Sequence, residues 1–248
     1  MHGLIRLRYP KLSRYPRLVH GVFARTGGVS RPPCDSLNTS YAVGDREADV
    51  DANLRKIRKA LGADGLVFLN QVHGDKIVVF RKKGPPPPER PPAADAMITD
   101  IPGLALMVNQ ADCQSVILFD PERRAVANIH CGWRGNVRDI IGKTVSRMAR
   151  EFGSRPGRLA AAIGPSLGPC CGEFVSHREI FPADFREFMV GDNRFDLWAV
   201  SRRQLMAAGV SADRIELAGI CTRCRTDLFF SYRGEGRTGR FATAVMLV

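Results

Sequence analysis

Residues 104–120 read Leu104-Ala105-Leu106-Met107-Val108-Asn109-Gln110-Ala111-Asp112-Cys113-Gln114-Ser115-Val116-Ile117-Leu118-Phe119-Asp120. Two near-continuous apolar runs, 104–108 and 115–119, flank a polar interruption that carries one cysteine. A strand with one wet face alternates apolar and polar residues. Runs without alternation are what central strands need when both faces are covered. Cys113 then lies in the connection between two central strands. Asp120-Pro121 opens a turn, 125–129 reads as the returning strand, and 136–152 carries Val137, Ile140, Ile141, Val145 and Met148 at helical spacing. His130 falls between the strand end and the helix start.

Working outward, Glu47–Leu61 sets Val50, Leu54, Ile57 and Leu61 on one face of an amphipathic helix that stops at Gly62. Residues 66–72 and 76–80 read as strands flanking His73-Gly74-Asp75, which puts His73 in a tight turn at a sheet edge. Residues 84–92, with Pro85-Pro86-Pro87-Pro88 at their heart, cannot join a ladder and are expected to form an exposed, extended loop. Further strands are expected at 158–163, 214–220, 228–232 and 241–248, and a helix at 196–208 with Asp196 as its N-cap. No internal repeat is found. Strands and helices mixed without a βαβ rhythm predict an α+β fold, a single layered domain over 1–248 with mixed β-sheets flanked by helices. No G-x-G-x-x-G follows a strand and no Walker A run is present, so dinucleotide and P-loop chemistry drop out.

The chain has 248 residues, 44% of them hydrophobic, enough to bury a sizeable core. No run approaches the roughly 18 apolar residues of a membrane span, and residues 1–10 lack the apolar core of a signal peptide, so a cytoplasmic protein without a membrane partner is expected. Seven cysteines, an odd number, argue for reduced thiols rather than a disulfide framework. Cys221-Thr222-Arg223-Cys224 is a C-x-x-C, but Cys170-Cys171 are adjacent rather than spaced by two, so these four read as ordinary thiols and not as a zinc ribbon. The net charge of +12 is interleaved with acids, as in Arg46-Glu47 and Arg178-Glu179, and no nucleic-acid module appears. That pattern reads as a solvated surface, with no nucleic-acid partner expected.

Three residues stand out at the edges of strand-like segments: His73 in Gln71-Val72-His73-Gly74, Cys113, and His130 in Asn128-Ile129-His130-Cys131-Gly132-Trp133-Arg134-Gly135. Two imidazoles and one thiol suit a catalytic zinc, because three protein ligands leave a coordination position open for water or substrate. The intervals between them lack the short pairs of a zinc finger. From residues alone a second reading stays open, a pair of core histidines and an inert buried cysteine.

Arg25-Thr26-Gly27-Gly28-Val29-Ser30, Ser36-Leu37-Asn38, Gln71-Val72-His73-Gly74, Asp95-Ala96, Ala111-Asp112-Cys113, His130-Cys131-Gly132-Trp133-Arg134-Gly135, Ile163-Gly164-Pro165-Ser166, and Phe229-Phe230-Ser231-Tyr232-Arg233 with Thr238-Gly239-Arg240 follow one another along nearly the whole chain. In this order they resemble the multicopper polyphenol oxidase (laccase-domain) family, now usually described as purine nucleoside phosphorylases. The resemblance implies zinc held by His73, Cys113 and His130 as the catalytic centre. It also implies phosphorolysis of adenosine, inosine, guanosine and methylthioadenosine, adenosine deamination, and, under the older label, copper and phenol oxidation. Some bacterial relatives are linked to quality control of cell-wall precursors. Two departures are Cys131, where the family usually has alanine, and Gly234, where it often has a second arginine. On a continuing strand the Cys131 thiol faces away from His130, and it reads as packing.

Phosphorolysis needs an anion site, a ribose clamp and stabilisation of the departing purine. Arg25 beside Gly27-Gly28 is a candidate phosphate cradle, its alternative being a glycine turn with a solvated arginine. Asn38 and Gln71 are candidate ribose contacts. Trp133 and Phe229 are candidate stacking partners for the base, with core packing as the alternative for at least one of Phe229 and Phe230. Arg134 and Arg233 are candidate clamps for phosphate or base. Asp112 is either a proton carrier or a turn residue. The H-x-E and P-C-x-x-C of nucleoside deaminases are missing, so deamination would use a different constellation. Other readings are a copper oxidase, for which five histidines are few, a cysteine hydrolase using Cys113 and His130, and a basic interaction protein with a structural metal.

Overall fold

In the computed structural model, which describes residues 3–86, 88 and 90–248, the two apolar runs become Leu104–Gln110 and Gln114–Asp120, buried throughout except for Asn109. His2, and Pro87 and Glu89 of the expected 84–92 loop, lie outside the described residues. Numbered along the chain, the strands are β1 (Arg6–Leu7), β2 (Leu18–Phe23), β3 (Gly65–Val67), β4 (Ile77–Phe80), β5 (Ala96–Thr99), β6 (Leu104–Gln110), β7 (Gln114–Asp120), β8 (Ala125–Cys131), β9 (Ala160–Ile163), β10 (Met189–Gly191), β11 (Arg194–Phe195), β12 (Ile215–Leu217) and β13 (Phe241–Leu247). The helices are α1 (Pro10–Ser13), α2 (Glu47–Leu61), α3 (Trp133–Val137), α4 (Ile140–Phe152), α5 (His177–Ile180), α6 (Leu197–Ala207) and α7 (Tyr232–Glu235).

Two mixed sheets result. One has the order β1-β2-β13-β6-β3, the other β12-β9-β7-β8-β5-β4, and each is antiparallel except for parallel pairs at its edges. The alternation of side chains along each strand explains the unbroken apolar runs. Leu104, Leu106 and Val108 of β6 meet Ile117 and Phe119 of β7 between the sheets. The residues in between face outward: Ala105 and Met107 pack under Val50, Leu54 and Ile57 of α2, while Val116 and Leu118 pack under Ile141, Val145 and Met148 of α4. The layers therefore run helix, sheet, sheet, helix, the α+β mixed-sheet architecture expected from sequence. The α2 stop at Gly62 (φ 65°) and the Asp196 cap on α6, whose carboxylate accepts from the Ala199 amide at 3.0 Å, also match expectation.

Four expected elements differ: of 214–220 only Ile215–Leu217 is a strand, and the other three depart each for a local reason. Of 66–72 only Gly65–Val67 is a strand. The chain then leaves one sheet edge and crosses toward the other, Asn70 bridging Ala93, which delivers His73 beside the end of β8. The 136–152 helix is broken at Asp139 (φ 52°), whose side chain caps α4 through the Gly142 amide at 3.1 Å and frees α3 to follow β8 directly. Residues 228–232 are not a strand. Successive turns carry the chain from Cys221 onward, and in a turn neighbours can both point inward, so Phe229 and Phe230 are both fully buried.

One buried base ties α1 to this framework. His20 of β2 is 1% exposed, accepts the Tyr9 amide on Nε2 at 2.9 Å, and has no partner for Nδ1 among the described residues. Burial, reinforced by Arg6 and Arg8, pulls its pKa from 6.5 down to about 4. Below pH 6.5 the unfolded chain takes a proton that the native state refuses down to about pH 4, so stability falls as pH drops through that window. At pH 5 the loss from this residue is about 2 kcal/mol. Urea midpoints at pH 7 and pH 5 test this: the difference shrinks in His20→Gln, which keeps an acceptor for Tyr9 without the titration. Equal pH differences in the two proteins rule it out.

Candidate metal centre and cavity

His73, Cys113 and His130 come together at the ends of β7 and β8, one ligand-type atom from each lying within 4.8 Å of the others. The rings of His73 and His130 meet edge to face at 4.9 Å, and Cys113 Sγ lies 3.9 Å from His73 Nε2. Each position follows from the backbone. His130 is the second-last residue of β8, Cys113 immediately precedes β7, and His73 turns with φ 57° in the crossing segment.

Asp95, wholly buried just before β5, organises the group. Its Oδ1 lies 2.8 Å from His130 Nδ1 and accepts the His73 amide at 2.9 Å, while Oδ2 accepts the Gly74 amide at 2.7 Å. With Nδ1 held by Asp95, Nε2 is the nitrogen that faces the cluster, and its lone pair becomes available to a metal once the ring gives up its second proton. Arg138 fastens the same loop from outside, donating to the His73 carbonyl at 3.0 Å. Gly132 makes room: its φ of −82° suits any residue, but a Cβ there would lie 2.8 Å from Cys113 Sγ.

Burial alone would raise the Cys113 thiol. The His130 and His73 rings outweigh it and draw the pKa down to about 6. For His130 burial acts downward, and Cys113 and Asp95 lift the pKa to about 9. The sulfur is therefore a thiolate at neutral pH, the form a metal requires. Asp95 is held below the usual carboxylate range although burial opposes this, because His130 and the Gly74 and His73 amides favour its charge.

The cluster opens into a cavity of about 550 Å³, within the usual range for small-ligand sites. Of the residues singled out in the sequence, Gln71, Asp112, Cys131, Trp133, Arg134 and Arg233 line it together with His73, Cys113 and His130. Gln71 serves as a clasp, its amide exchanging two hydrogen bonds with the Asn109 backbone, at 2.9 and 2.8 Å. Arg134 lies over the Trp133 ring at 4.5 Å, and Arg233 donates to the Glu173 carbonyl at 2.8 Å. Asp112 is a turn residue at φ 84°, its carboxylate filled by Thr222, Ser231 and the Arg233 amide at 2.6–2.7 Å.

Three expected contacts lie off the cavity wall. Arg25 is sequestered by Glu235 at 2.7 Å, the Thr226 carbonyl at 2.7 Å and the Phe230 ring at 4.4 Å, so its guanidinium supports the fold instead of cradling phosphate. Gly28 is glycine because the Ser36–Leu37 backbone fills the space of a side chain. Asn38 is fully buried, its carbonyl oxygen accepting the Arg240 amide at 2.9 Å and its amide nitrogen donating to Asp45 at 2.8 Å. Phe229 packs on Phe241 at 4.9 Å in the inter-sheet core. The Cys131 thiol is buried on the α4 side, as its strand position implied.

Sequence reasoning missed several wall residues. Arg240, quoted only within Thr238-Gly239-Arg240, lines the cavity with Nη1 held by the Thr238 and Gly239 carbonyls at 3.0 and 2.9 Å. Gln114 lines it too; its Nε2 donates to the Leu197 carbonyl at 2.9 Å, and its buried Oε1 has no partner among the described residues. Phe174 joins a cluster of phenylalanines that backs Trp133. The four thiols read as unrelated, Cys170, Cys171, Cys221 and Cys224, also converge, to within 4.8 Å of one another.

Residues 19–248 match the family described as "Multi-copper polyphenol oxidoreductase laccase". A protein of Bacteroides thetaiotaomicron named purine nucleoside phosphorylase is 32% identical over 97% of this chain and 96% of its own length. A Streptomyces coelicolor protein of the same name is 38% identical, over 92% and 94%. The crystal structure of YlmD from Geobacillus stearothermophilus superposes with a TM-score of 0.86 at 31% identity, over 99% of this chain and 96% of that one. On a match spanning most of its length, the chain belongs to the multi-copper polyphenol oxidoreductase laccase family.

Proposed function

We propose that this chain is a zinc-dependent purine nucleoside phosphorylase, using His73, Cys113 and His130 as metal ligands and the adjoining cavity for nucleoside and phosphate. The observation that carries the reading is the pairing of an oriented His/Cys/His set with a cavity wall bearing Arg134, Arg233 and Arg240. Among the described residues, none of these three arginines has a carboxylate partner within ion-pair distance, and the one acid on the wall, Asp112, has its side chain filled by hydrogen bonds. Such a wall attracts an anion, and guanidinium groups suit phosphate. The names of the relatives, purine nucleoside phosphorylase, agree with this chemistry.

The residues fit a zinc ion: a thiolate, two ring nitrogens, one of them backed by a buried carboxylate, and Gly132 leaving room at the sulfur. When bound, the ion supplies a Lewis acid with an open position. In phosphorolysis a phosphate oxygen bonds to the sugar C1′ while the bond from C1′ to the purine nitrogen breaks. The electron pair leaves with the base, which takes up a proton. Arg233 and Arg240 hold the phosphate, Trp133 and Phe174 offer apolar faces to the base, and Gln114 Oε1 accepts a hydrogen bond from a base N–H. The preference among adenosine, inosine, guanosine and methylthioadenosine, and adenosine deamination, belong to this same proposal; in deamination a water oxygen would bond to the purine ring carbon that carries the amino group, and the bond to that nitrogen would break with release of ammonia.

Two other readings have less behind them. A multicopper oxidase needs further histidines, yet His20 is bonded to Tyr9 and His177 packs at a tilt against Phe195, ring centres 5.2 Å apart. Copper in place of zinc at the one centre is separable by metal analysis of protein purified without added copper. A cysteine hydrolase is favoured by the Cys113, His130 and Asp95 alignment, but it gives no role to His73.

Three outcomes are expected. Phosphate-dependent release of hypoxanthine from inosine is lost in His73→Ala and Cys113→Ser proteins that keep the wild-type circular dichroism; unchanged turnover in both refutes the metal role. Arg240→Ala raises KM for phosphate about tenfold or more, the loss of one charge-assisted contact of about 1.5–3 kcal/mol, with a smaller effect on KM for inosine. Gly132→Ala and Asp95→Asn each lower zinc affinity about 10–100-fold in chelator competition. Wild-type affinity in Gly132→Ala would mean that the Cys113 sulfur does not bind the ion.

A further inference from the structure

Away from the cavity, two turns face each other with their sulfurs together. One is 168–172, Gly168-Pro169-Cys170-Cys171-Gly172; the other is the C-x-x-C of 221–224. Their backbones are zippered up to the cluster, Ser166 bridging Cys221 and the Thr222 amide donating to the Ser166 carbonyl at 3.0 Å. Both Cys170 and Cys171 place Sγ 3.6 Å from Cys224 Sγ, and all four sulfurs lie within 4.8 Å of one another. From these positions we infer that Cys170, Cys171, Cys221 and Cys224 bind a second zinc ion, separate from the His73, Cys113 and His130 centre.

Three features favour a metal over four chance neighbours. First, Cys170 and Cys224 are exposed and Cys171 half-buried, so hydrophobic packing gives no reason for the convergence. Second, zinc–thiolate bonds of about 2.3 Å in a tetrahedron put sulfurs about 3.8 Å apart, close to what two of the contacts already have. A disulfide would bring one pair to about 2.05 Å and leave the other two sulfurs without a purpose. Third, the Gly168 amide donates to Cys221 Sγ at 3.3 Å, the kind of backbone hydrogen bond that a metal-bound thiolate accepts. The turn is also tightly seated: a Cβ on Gly172 would meet the Phe195 carbonyl oxygen at 2.7 Å, and one on Gly168 the Trp198 ring at 2.8 Å.

A closed four-thiolate shell leaves no position for substrate, so the role is structural. It fastens 168–172 to the segment whose Thr222 bonds Asp112 and whose Arg233 donates to the Glu173 carbonyl. The ion thus clips together the two stretches that carry Phe174 and Arg233 to the cavity wall.

The test is metal content per chain, measured by mass spectrometry on protein purified under reducing conditions without chelator. Cys221→Ser/Cys224→Ser contains one zinc fewer than wild type, whereas His73→Ala retains that cysteine-dependent zinc, which keeps this inference distinct from the catalytic proposal. Because removing buried Cys221 can unfold the chain, the exposed Cys170→Ser is measured in parallel. It retains wild-type circular dichroism, loses zinc to a chelator faster, and melts at a lower temperature. Cobalt substitution of His73→Ala gives the intense sulfur-to-cobalt charge-transfer absorption of a tetrathiolate, and this is absent in His73→Ala/Cys224→Ser. Equal zinc content in wild type, Cys170→Ser and the double serine variant overturns the inference, as does a disulfide among these cysteines in the freshly purified protein.

Discussion

The centre depends on the carboxylate of Asp95. It is wholly buried, and it joins two parts of the chain that the sheets alone would not align: the His130 ring at the end of β8, and the His73 and Gly74 amides of the crossing segment. A buried carboxylate is costly unless its lone pairs are filled. Here they are filled by these groups, so the same bonds that make its burial tolerable orient both histidines. The crossing segment has few other anchors, chiefly the Gln71 clasp on β6 and the Arg138 bond to the His73 carbonyl. Without Asp95 the His130 ring and the backbone of the His73 turn would lose the group that joins them.

The two central strands provide the rigidity that this arrangement requires. β7 and β8 pair over their whole length, Gln114 opposite Cys131 and Ser115 opposite His130, so Cys113 and His130 emerge at the same end of one ladder. Both faces of that ladder are packed, one against the other sheet and one under α4. A one-residue slip would exchange those faces and turn His130 away from Cys113. The register that satisfies the two cores is therefore also the register that assembles the ligands.

Much of this was legible in sequence because it rests on local signals. The unbroken runs at 104–108 and 115–119 report strands covered on both faces, and the three ligand candidates at strand ends converge as their positions suggested. What was not legible is decided by partners distant along the chain. Arg25 beside two glycines reads as an anion loop until Glu235 and Phe230 are seen to occupy it, while Arg240 carries no local mark of facing the cavity. Asn38 and Gln71 are polar residues whose hydrogen bonds go to backbone and buried partners. Cys170, Cys171, Cys221 and Cys224 lacked a paired spacing signature, because the first two are adjacent in sequence and the topology alone brings them to the C-x-x-C.

The residue that couples the metal side of the cavity to its cationic side is Asp112. At φ 84° it holds a backbone conformation that costs a non-glycine residue about 1 kcal/mol or more. That turn sends successive side chains in different directions. Cys113 faces the histidines, while the Asp112 carboxylate points the other way to take Thr222, Ser231 and the Arg233 amide. The three hydrogen bonds offset the strain. Glycine there would relieve the backbone but release the segment bearing Arg233. The spacing between the sulfur and the Arg233 backbone is thus fixed by one dipeptide. The phosphorolysis we propose needs nucleoside and phosphate held at a set separation, and Asp112-Cys113 fixes the distance between the Cys113 side of the cavity and the Arg233 backbone.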